Sequence, residues 1–135
     1  MVAQELGRDP NEFNEWEYLR WFSRTLAENV ARMHKAGFIH GYLTGHNITL
    51  DCRIVDLDSV VPGPKITSAE SMQQNFLRGT DYTLDPYRKD FYSARENLSR
   101  FYFELIIAPG LEKQSYNSTD LNKEFLEKYL ETLEA

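Results

Sequence analysis

The segment FIHGYLTGHNITLDCRIVDLD, residues 38–58, decides how this chain folds. Two strand-like runs within it are separated by only two residues, so it predicts a β-hairpin. Asn47 begins the first run, and Asp56 and Asp58 lie at the end of the second. Amide and carboxylate oxygens gathered in this way suit Mg²⁺, which takes few protein ligands and leaves its other positions to phosphate and water. The segment therefore predicts a magnesium site for phosphate chemistry.

Each of these polar residues also has an ordinary structural explanation. Asn47 could be a turn or strand-edge amide that bonds local backbone groups. An alternating strand would turn the Asp56 carboxylate away from its apolar neighbours, and burying it is costly without a cation or hydrogen-bond donors. If the strand continues, Asp58 shares a face with Asp56, and two carboxylates so close repel unless a cation or proton lies between them. The alternative for Asp58 is the solvated start of the next loop.

The order and spacing of the segment resemble the catalytic and metal-binding segments of the protein-kinase-like fold. In that fold a His-Arg-Asp loop ends in an Asn, and a hairpin then leads to an Asp-Phe-Gly turn. His40 falls on the His of the loop and Leu43 on its Leu. Asn47 falls on the Mg²⁺-binding Asn, and Asp56, nine residues later, on the metal-binding Asp. The resemblance implies that the chain binds ATP with Mg²⁺ through Asn47 and Asp56.

The residue types depart from the kinase pattern at three places. Gly41 stands in place of the Arg, Tyr42 in place of the catalytic Asp, and Leu57-Asp58 in place of Phe-Gly. A phenol is a poor base at neutral pH, so ordinary protein-kinase activity is disfavoured. The HG-x-x-x-x-x-N form of the loop is closer to the selenoprotein-O-like pseudokinases, which transfer the nucleotide part of ATP. In those proteins the residue before the Asn is acidic, whereas here it is His46.

Two histidines of the loop have different predicted roles. His46 is the candidate general base, because imidazole titrates near neutral pH and can accept a proton from a nucleophile. The alternative for His46 is an ordinary surface histidine. His40 is predicted to be structural, since the corresponding residue braces the loop in the resembling families. The resemblance also makes Asp90 the opening acid of a central helix, where it would anchor the loop by hydrogen bonds.

The rest of the chain is predicted to be mainly helical. Apolar residues recur at helical spacing in three long stretches, each bounded by capping or chain-breaking residues. The predicted helices are 14–36, a helix from 85 or 90 to 108, a final helix from 118 or 119, and a short one near 69–77. We therefore predict an α+β fold that is mainly α. The resemblance makes it a kinase-like C-terminal lobe whose small β-hairpin carries the metal site.

Length and composition limit the other possibilities. The 135 residues suit a single domain with a polar lead-in over 1–13. A formal charge of −6 without a dense basic run argues against a nucleic-acid partner. The lone Cys52 cannot form an internal disulfide, no apolar run approaches the ~20 residues that span a bilayer, and the first ten residues lack a hydrophobic signal core. These features predict a cytoplasmic protein without a membrane partner.

The chain lacks the other half of a phosphate-transfer site. Kinases clamp the phosphates from a second side with a Gly-rich loop and a strand lysine. No G-x-G-x-x-G or V-A-x-K pattern occurs, so the resemblance covers residues 14–107 and only the large lobe. We predict the C-terminal lobe or fragment of an ATP- and Mg²⁺-dependent phosphoryl or adenylyl transferase, inactive alone and completed by an N-terminal lobe or a protein partner.

Two alternatives stay open at this point. The first is a non-catalytic, pseudokinase-like binding or scaffold module, which would expose apolar patches and could form homo-oligomers. The second is an unrelated helical protein in which the short motif occurs by chance.

Overall fold

Helix α2, Glu15–Lys35, lies at the centre of the computed structural model, which describes residues 2–135. Asn14 begins the helix by accepting a hydrogen bond from the backbone N–H of Glu17, as the sequence predicts. The predicted apolar face is buried, with Trp16, Leu19, Phe22, Leu26 and Val30 at its centre. This helix leads directly into the loop of residues 40–47, so its position determines where the candidate site begins.

Three further helices complete the core, two of them packed directly against α2. They are α3 (Ala69–Arg78), α4 (Asp85–Tyr102) and α5 (Ser118–Glu134). Each confirms a helix predicted from periodicity and capping. Helix α4 continues as a π-helical turn, Phe103–Ile107, before the predicted stop at Pro109-Gly110.

Helix α5 packs along α2 and also contacts α3 and α4. Its buried face meets an aromatic cluster in which Phe76 of α3 stacks on Phe91 of α4 at a centroid distance of 4.6 Å. Phe125 and Tyr129 of α5 contact the Phe91 ring at 5.1 and 5.0 Å. Such aromatic pairs add about 0.5–1.5 kcal/mol each beyond area burial. The cluster therefore joins α3, α4 and α5 into one core.

The lead-in is not purely polar as predicted. It contains a four-residue helix, α1 (Val2–Glu5), in which Ala3 is buried. Val2 and Leu6 pack against the core, and this apolar contact explains why the segment is ordered. No helix within residues 2–135 combines the length and apolar character that a membrane span requires.

The predicted fold class is confirmed in its coarse form, since a mainly helical chain carries a small antiparallel sheet. The residues that form the sheet were predicted wrongly. Strand β1 (Phe38–Ile39) pairs with β2 (Val61–Pro62), not with a neighbouring hairpin strand. The predicted hairpin is reduced to a single bridge between Ile48 and Ile54. It stays so short because the extended run ends at Asp56, after which a 3-10 turn begins.

Replacing Leu26 with Ala should lower the free energy of unfolding by about 2–5 kcal/mol, because truncation of this fully buried side chain leaves a cavity. Leu77 in α3 is the matched control, since it is 67% exposed. Its replacement with Ala should change stability by about 0.5 kcal/mol or less. Urea unfolding followed by circular dichroism gives both values. Equal losses in the two variants would contradict the burial of this face of α2.

Candidate functional site

The loop that follows β1 is held by a carboxylate from the core. Asp90 is 2% exposed on α4, and its Oδ2 accepts the backbone N–H of His40 at 2.8 Å. Its Oδ1 accepts the N–H of Gly41, also at 2.8 Å. Gly41 has φ +90°, a conformation that glycine adopts without steric cost, so two successive N–H groups can reach one carboxylate. The anchoring hydrogen bonds expected of Asp90 are therefore present.

Asp90 is also tied to two other helices through a buried histidine. His34 of α2 lies 3.0 Å from Asp90 Oδ2 through Nε2 and 2.6 Å from the Tyr129 hydroxyl through Nδ1. Burial raises the pKa of Tyr129 well above its ordinary value, so its hydroxyl stays protonated and donates to Nδ1. His34 Nε2–H then donates to Asp90. The network Tyr129–His34–Asp90 therefore connects α5, α2 and α4 to the loop.

The charges within this network follow from burial and hydrogen bonding. Burial lowers the pKa of His34, against the opposing effect of the Asp90 hydrogen bond and charge, so the imidazole is neutral at pH 7. Burial alone would raise the pKa of Asp90, but hydrogen bonds from His34 and from the N–H groups of His40 and Gly41 outweigh it and lower that pKa. The network therefore carries one negative charge, on Asp90, and three donors form hydrogen bonds to that carboxylate.

His40 connects the loop to the hairpin. The ring is fully buried, and its Nδ1 accepts the backbone N–H of Tyr42 at 3.1 Å. Its Nε2 therefore carries the proton and donates to the carbonyl of Val55 at 2.8 Å. The Ser59 hydroxyl donates to the His40 carbonyl at 2.7 Å. His40 thus fixes the residues on either side of Asp56 relative to the loop, as a bracing residue would.

The turn around the Ile48–Ile54 bridge brings the backbone of Asn47 beside that of Val55. The N–H of Val55, the residue before Asp56, donates to the Asn47 carbonyl at 2.9 Å. Asn47 ends a 3-10 turn, Gly45–Asn47, and its side-chain Nδ2 donates to the Tyr42 carbonyl at 2.7 Å. This bond leaves Oδ1 as the free atom of the amide. The backbone of Asn47 is therefore hydrogen-bonded to the residue that directly precedes Asp56.

Two side chains of helix α2 form hydrogen bonds to backbone carbonyls in the turn of the hairpin. The Tyr18 hydroxyl donates to the Leu50 carbonyl at 2.7 Å, and Asn29 Nδ2 donates to the Cys52 carbonyl at 3.0 Å. The Cys52 side chain is 1% exposed, and burial raises its thiol pKa to about 12. A thiol of that pKa is unreactive at neutral pH, so Cys52 fills the core beneath the hairpin.

Asp56 and Asp58 do not share one strand face, which corrects the prediction from alternation. Asp56 has φ 59° and ψ 61°, the left-handed region that few non-glycine residues occupy, and it ends the strand. Asp58 lies in the 3-10 turn Leu57–Ser59 that follows. Both side chains are exposed. A left-handed non-glycine residue is a strained position of the kind that clusters at functional sites.

The oxygens of this segment are chemically suited to a hard cation. Within residues 2–135, no protein hydrogen bond or ion pair engages Asn47 Oδ1 or the carboxylates of Asp56 and Asp58. Mg²⁺ is typically bound by one or two carboxylates together with substrate phosphates and water, so this donor set fits it. The described part of the chain has no cluster of three or more His, Cys, Asp or Glu side chains that could hold a metal ion.

The candidate base and its neighbour are both on the surface. His46 is exposed in the 3-10 turn before Asn47, and no hydrogen bond among the described residues orients its ring. Tyr42 is 65% exposed. Neither side chain forms a hydrogen bond to the buried network that fixes the rest of the loop. His46 as a proton acceptor stays a prediction.

Sequence reasoning missed three residues that support the loop. His34 follows Leu26 and Val30 at four-residue spacing on the buried face of α2, which is the signal that could have identified it. Asn97 lies in the apolar stripe of α4, and its Nδ2 donates to the Leu43 carbonyl at 3.2 Å. Arg100, one turn later, bonds Asn97 and lies against the loop at Gly45. A polar residue within an apolar helical stripe marks such positions.

No protein-family model, curated protein or solved structure matches the chain. A function therefore has to be inferred from the loop, the hairpin and the helices that hold them.

The stability of the fold should fall as pH is lowered through 6.5, the ordinary pKa of histidine. Unfolded His34 gains a proton there, while folded His34 has a lowered pKa and stays neutral. The unfolded state thus binds more protons, and the free energy of unfolding falls by up to about 1.4 kcal/mol per pH unit. Urea unfolding at a series of pH values between about 5 and about 8 measures this slope.

The variant His34→Gln should lose this part of the pH dependence while keeping a donor for Asp90. His46→Gln is the matched control, because the exposed His46 lies outside the buried network and its removal leaves the His34 part of the slope in place. A slope unchanged in His34→Gln would show that this histidine is not the group responsible.

Proposed function

We propose that this chain binds Mg²⁺ with ATP through Asn47 and Asp56, as the large lobe of a kinase-like transferase of phosphoryl or adenylyl groups. The supporting observation is a double connection. Asp90 fixes the backbone at His40 and Gly41, and His40 in turn donates to the carbonyl of Val55, directly before Asp56. One buried charge thus positions both the loop and the segment that carries the acid, which is the arrangement the family resemblance implies.

The residues of the chain have separate tasks in this proposal. Asn47 Oδ1 and an Asp56 oxygen would ligate the metal, and the exposed Asp58 adds negative charge that attracts the cation. Bound Mg²⁺ would neutralise phosphate charge during transfer. His46 would accept a proton from the attacking group, because Tyr42 at the position of the kinase acid is a poor base.

Completion by a second lobe or a partner protein is supported by apolar side chains that border the loop. Tyr42 and Leu57 are 65% and 63% exposed, and Phe38 and Val61 of the sheet are 43% and 51% exposed. Large side chains left in water at the edge of a polar site indicate a surface that another polypeptide covers. The phosphates would then be clamped from that side.

The same apolar surface supports the alternative function, a non-catalytic binding or scaffold module that could form homo-oligomers. Such a module keeps the buried Asp90 network for stability but has no need for the oxygens of Asn47 and Asp56 to ligate metal. Metal and nucleotide binding therefore separate the two functions.

Mn²⁺, a paramagnetic substitute for Mg²⁺, should broaden the amide NMR signals of Asn47 and Asp56 first, because the metal binds within a few ångströms of both. In the presence of Mn²⁺ or Mg²⁺, ATP should bind with a dissociation constant in the range of about 0.1–10 mM. Asp56→Ala and Asn47→Ala should each weaken this binding by about tenfold or more, since each removes one of few metal ligands.

Asp51→Ala is the matched control for these variants. Asp51 is an exposed acid in the same hairpin, ion-paired to Arg53 at 3.2 Å, and its removal should leave nucleotide binding within about twofold. Broadening spread equally over all surface acids, or equal ATP affinity in Asp51→Ala and Asp56→Ala, would favour the scaffold module and contradict the metal site.

A further inference from the structure

A cationic side chain lies against the loop at Gly45. Arg100 of α4 points its guanidinium at Gly45, two residues ahead of Asn47. Across residues 2–135, no carboxylate forms an ion pair with Arg100, although Glu96 lies one turn earlier on the same helix. Arg and Glu four residues apart on a helix would ordinarily be able to pair. The guanidinium is instead directed to the loop, and the exposed Arg100 forms no direct ion pair with Glu96.

Two contacts hold the guanidinium in this position. Its Nη2 donates to Asn97 Oδ1 at 3.3 Å, and Asn97 Nδ2 in turn donates to the Leu43 carbonyl in the loop. The charged group also lies over the Phe101 ring at 5.1 Å from the centroid, a favourable cation–π geometry. An arginine held in this way loses little further side-chain freedom when it binds an anion.

Gly45 is the residue that makes room for Arg100. A Cβ built on Gly45 would lie 1.9 Å from Arg100 Nη1 and 2.7 Å from Cζ, closer than atoms can approach. Any other residue at this position would displace the guanidinium from the loop. The glycine and the arginine therefore form one structural unit at the entrance to the candidate site.

Together these residues line a small cleft of about 190 Å³, formed by Thr44, Gly45, Ser93, Glu96, Asn97 and Arg100. The hydroxyls of Thr44 and Ser93 can donate to an anion bound by Arg100. Glu96 places a negative charge in the same cleft, which disfavours a doubly charged group such as a phosphate monoester. A carboxylate, planar and singly charged, suits the arginine fork.

We propose that this cleft binds a carboxylate of the acceptor substrate and so makes the transferase selective for acceptors with an acidic group near the reacting hydroxyl. This selectivity rests on the proposed function, whereas the carboxylate subsite itself does not require ATP or metal. The acidic group is an Asp or Glu side chain of a peptide or the carboxylate of a small molecule.

The test uses two peptides that differ only in charge, acetyl-Ser-Glu-amide and acetyl-Ser-Gln-amide, together with acetate and inorganic phosphate. Titrations of the full chain are followed by the NMR signals of the Gly45 amide and the Arg100 side chain. We expect the acidic peptide to bind about three- to tenfold more tightly than the neutral one. Phosphate should bind no more tightly than acetate. Binding of acetate as tight as that of the acidic peptide would identify a small-molecule carboxylate as the ligand.

Three variants make the result specific. Arg100→Gln and Gly45→Ala should each abolish the preference for the acidic peptide, the first by removing the charge and the second by displacing it. Arg95→Gln is the control, because Arg95 lies on the same helix but packs over Tyr92, 4.6 Å from the ring centroid. It should keep the preference.

Equal binding of the two peptides, stronger binding of phosphate than of acetate, or the same loss in Arg95→Gln as in Arg100→Gln would overturn the carboxylate subsite. Nucleotide titration of the same samples separates this proposal from the proposed function. Absence of Mg²⁺–ATP binding with a retained charge preference would overturn the transferase and leave the subsite standing. Arg95→Gln should bind Mg²⁺–ATP as the wild type does, since its side chain packs over Tyr92.

Discussion

The rest of the site depends on the charge of Asp90. A carboxylate this deeply buried would cost several kcal/mol if its oxygens were unsatisfied, so the fold is stable only when all of its donors are in place. Those donors come from His34 of α2 and from two successive backbone N–H groups of the loop. The burial of one charge therefore fixes α4, α2 and the loop relative to one another, with Tyr129 extending the constraint to α5.

Side chains of the helices, more than pairing between extended segments, hold the candidate site in place. The turn between Asn47 and Asp56 has a single bridge, and such a short hairpin would be only marginally stable in isolation. Side chains of α2 compensate for this by binding the hairpin carbonyls, and His40 fixes the far strand from the loop. Ligands held by side chains from packed helices keep their geometry better than ligands on a free loop.

The helices could be predicted because apolar spacing and capping residues are local features of the sequence. The contacts of the site join residues that are distant in the sequence, so they could not be predicted in the same way. Apolar spacing and the cap at Asn14 gave the helices close to their observed bounds, whereas the capping box at Asn117 was not predicted. The pairing of β1 with β2 joins residues more than twenty positions apart, and two-residue strands carry too short a pattern to reveal it. The left-handed backbone at Asp56 could not be predicted for another reason. The alternation of apolar and polar residues around Asp56 suggested that the strand continues, whereas the left-handed conformation ends it.

The two charged regions of the loop act in opposite senses on any acceptor that reaches it. Asp56 and Asp58 repel an acidic group, whereas Arg100, which lies against Gly45, attracts it. Under the proposal, an acceptor with a carboxylate would thus be oriented before it makes close contact, with its acid toward Gly45 and its remaining groups toward the proposed metal ligands. Within residues 2–135, Arg100 forms no ion pair with Asp56 or Asp58. Within the proposed function, the sign of charge at each end of the loop therefore determines which end receives the phosphates and which receives the acceptor.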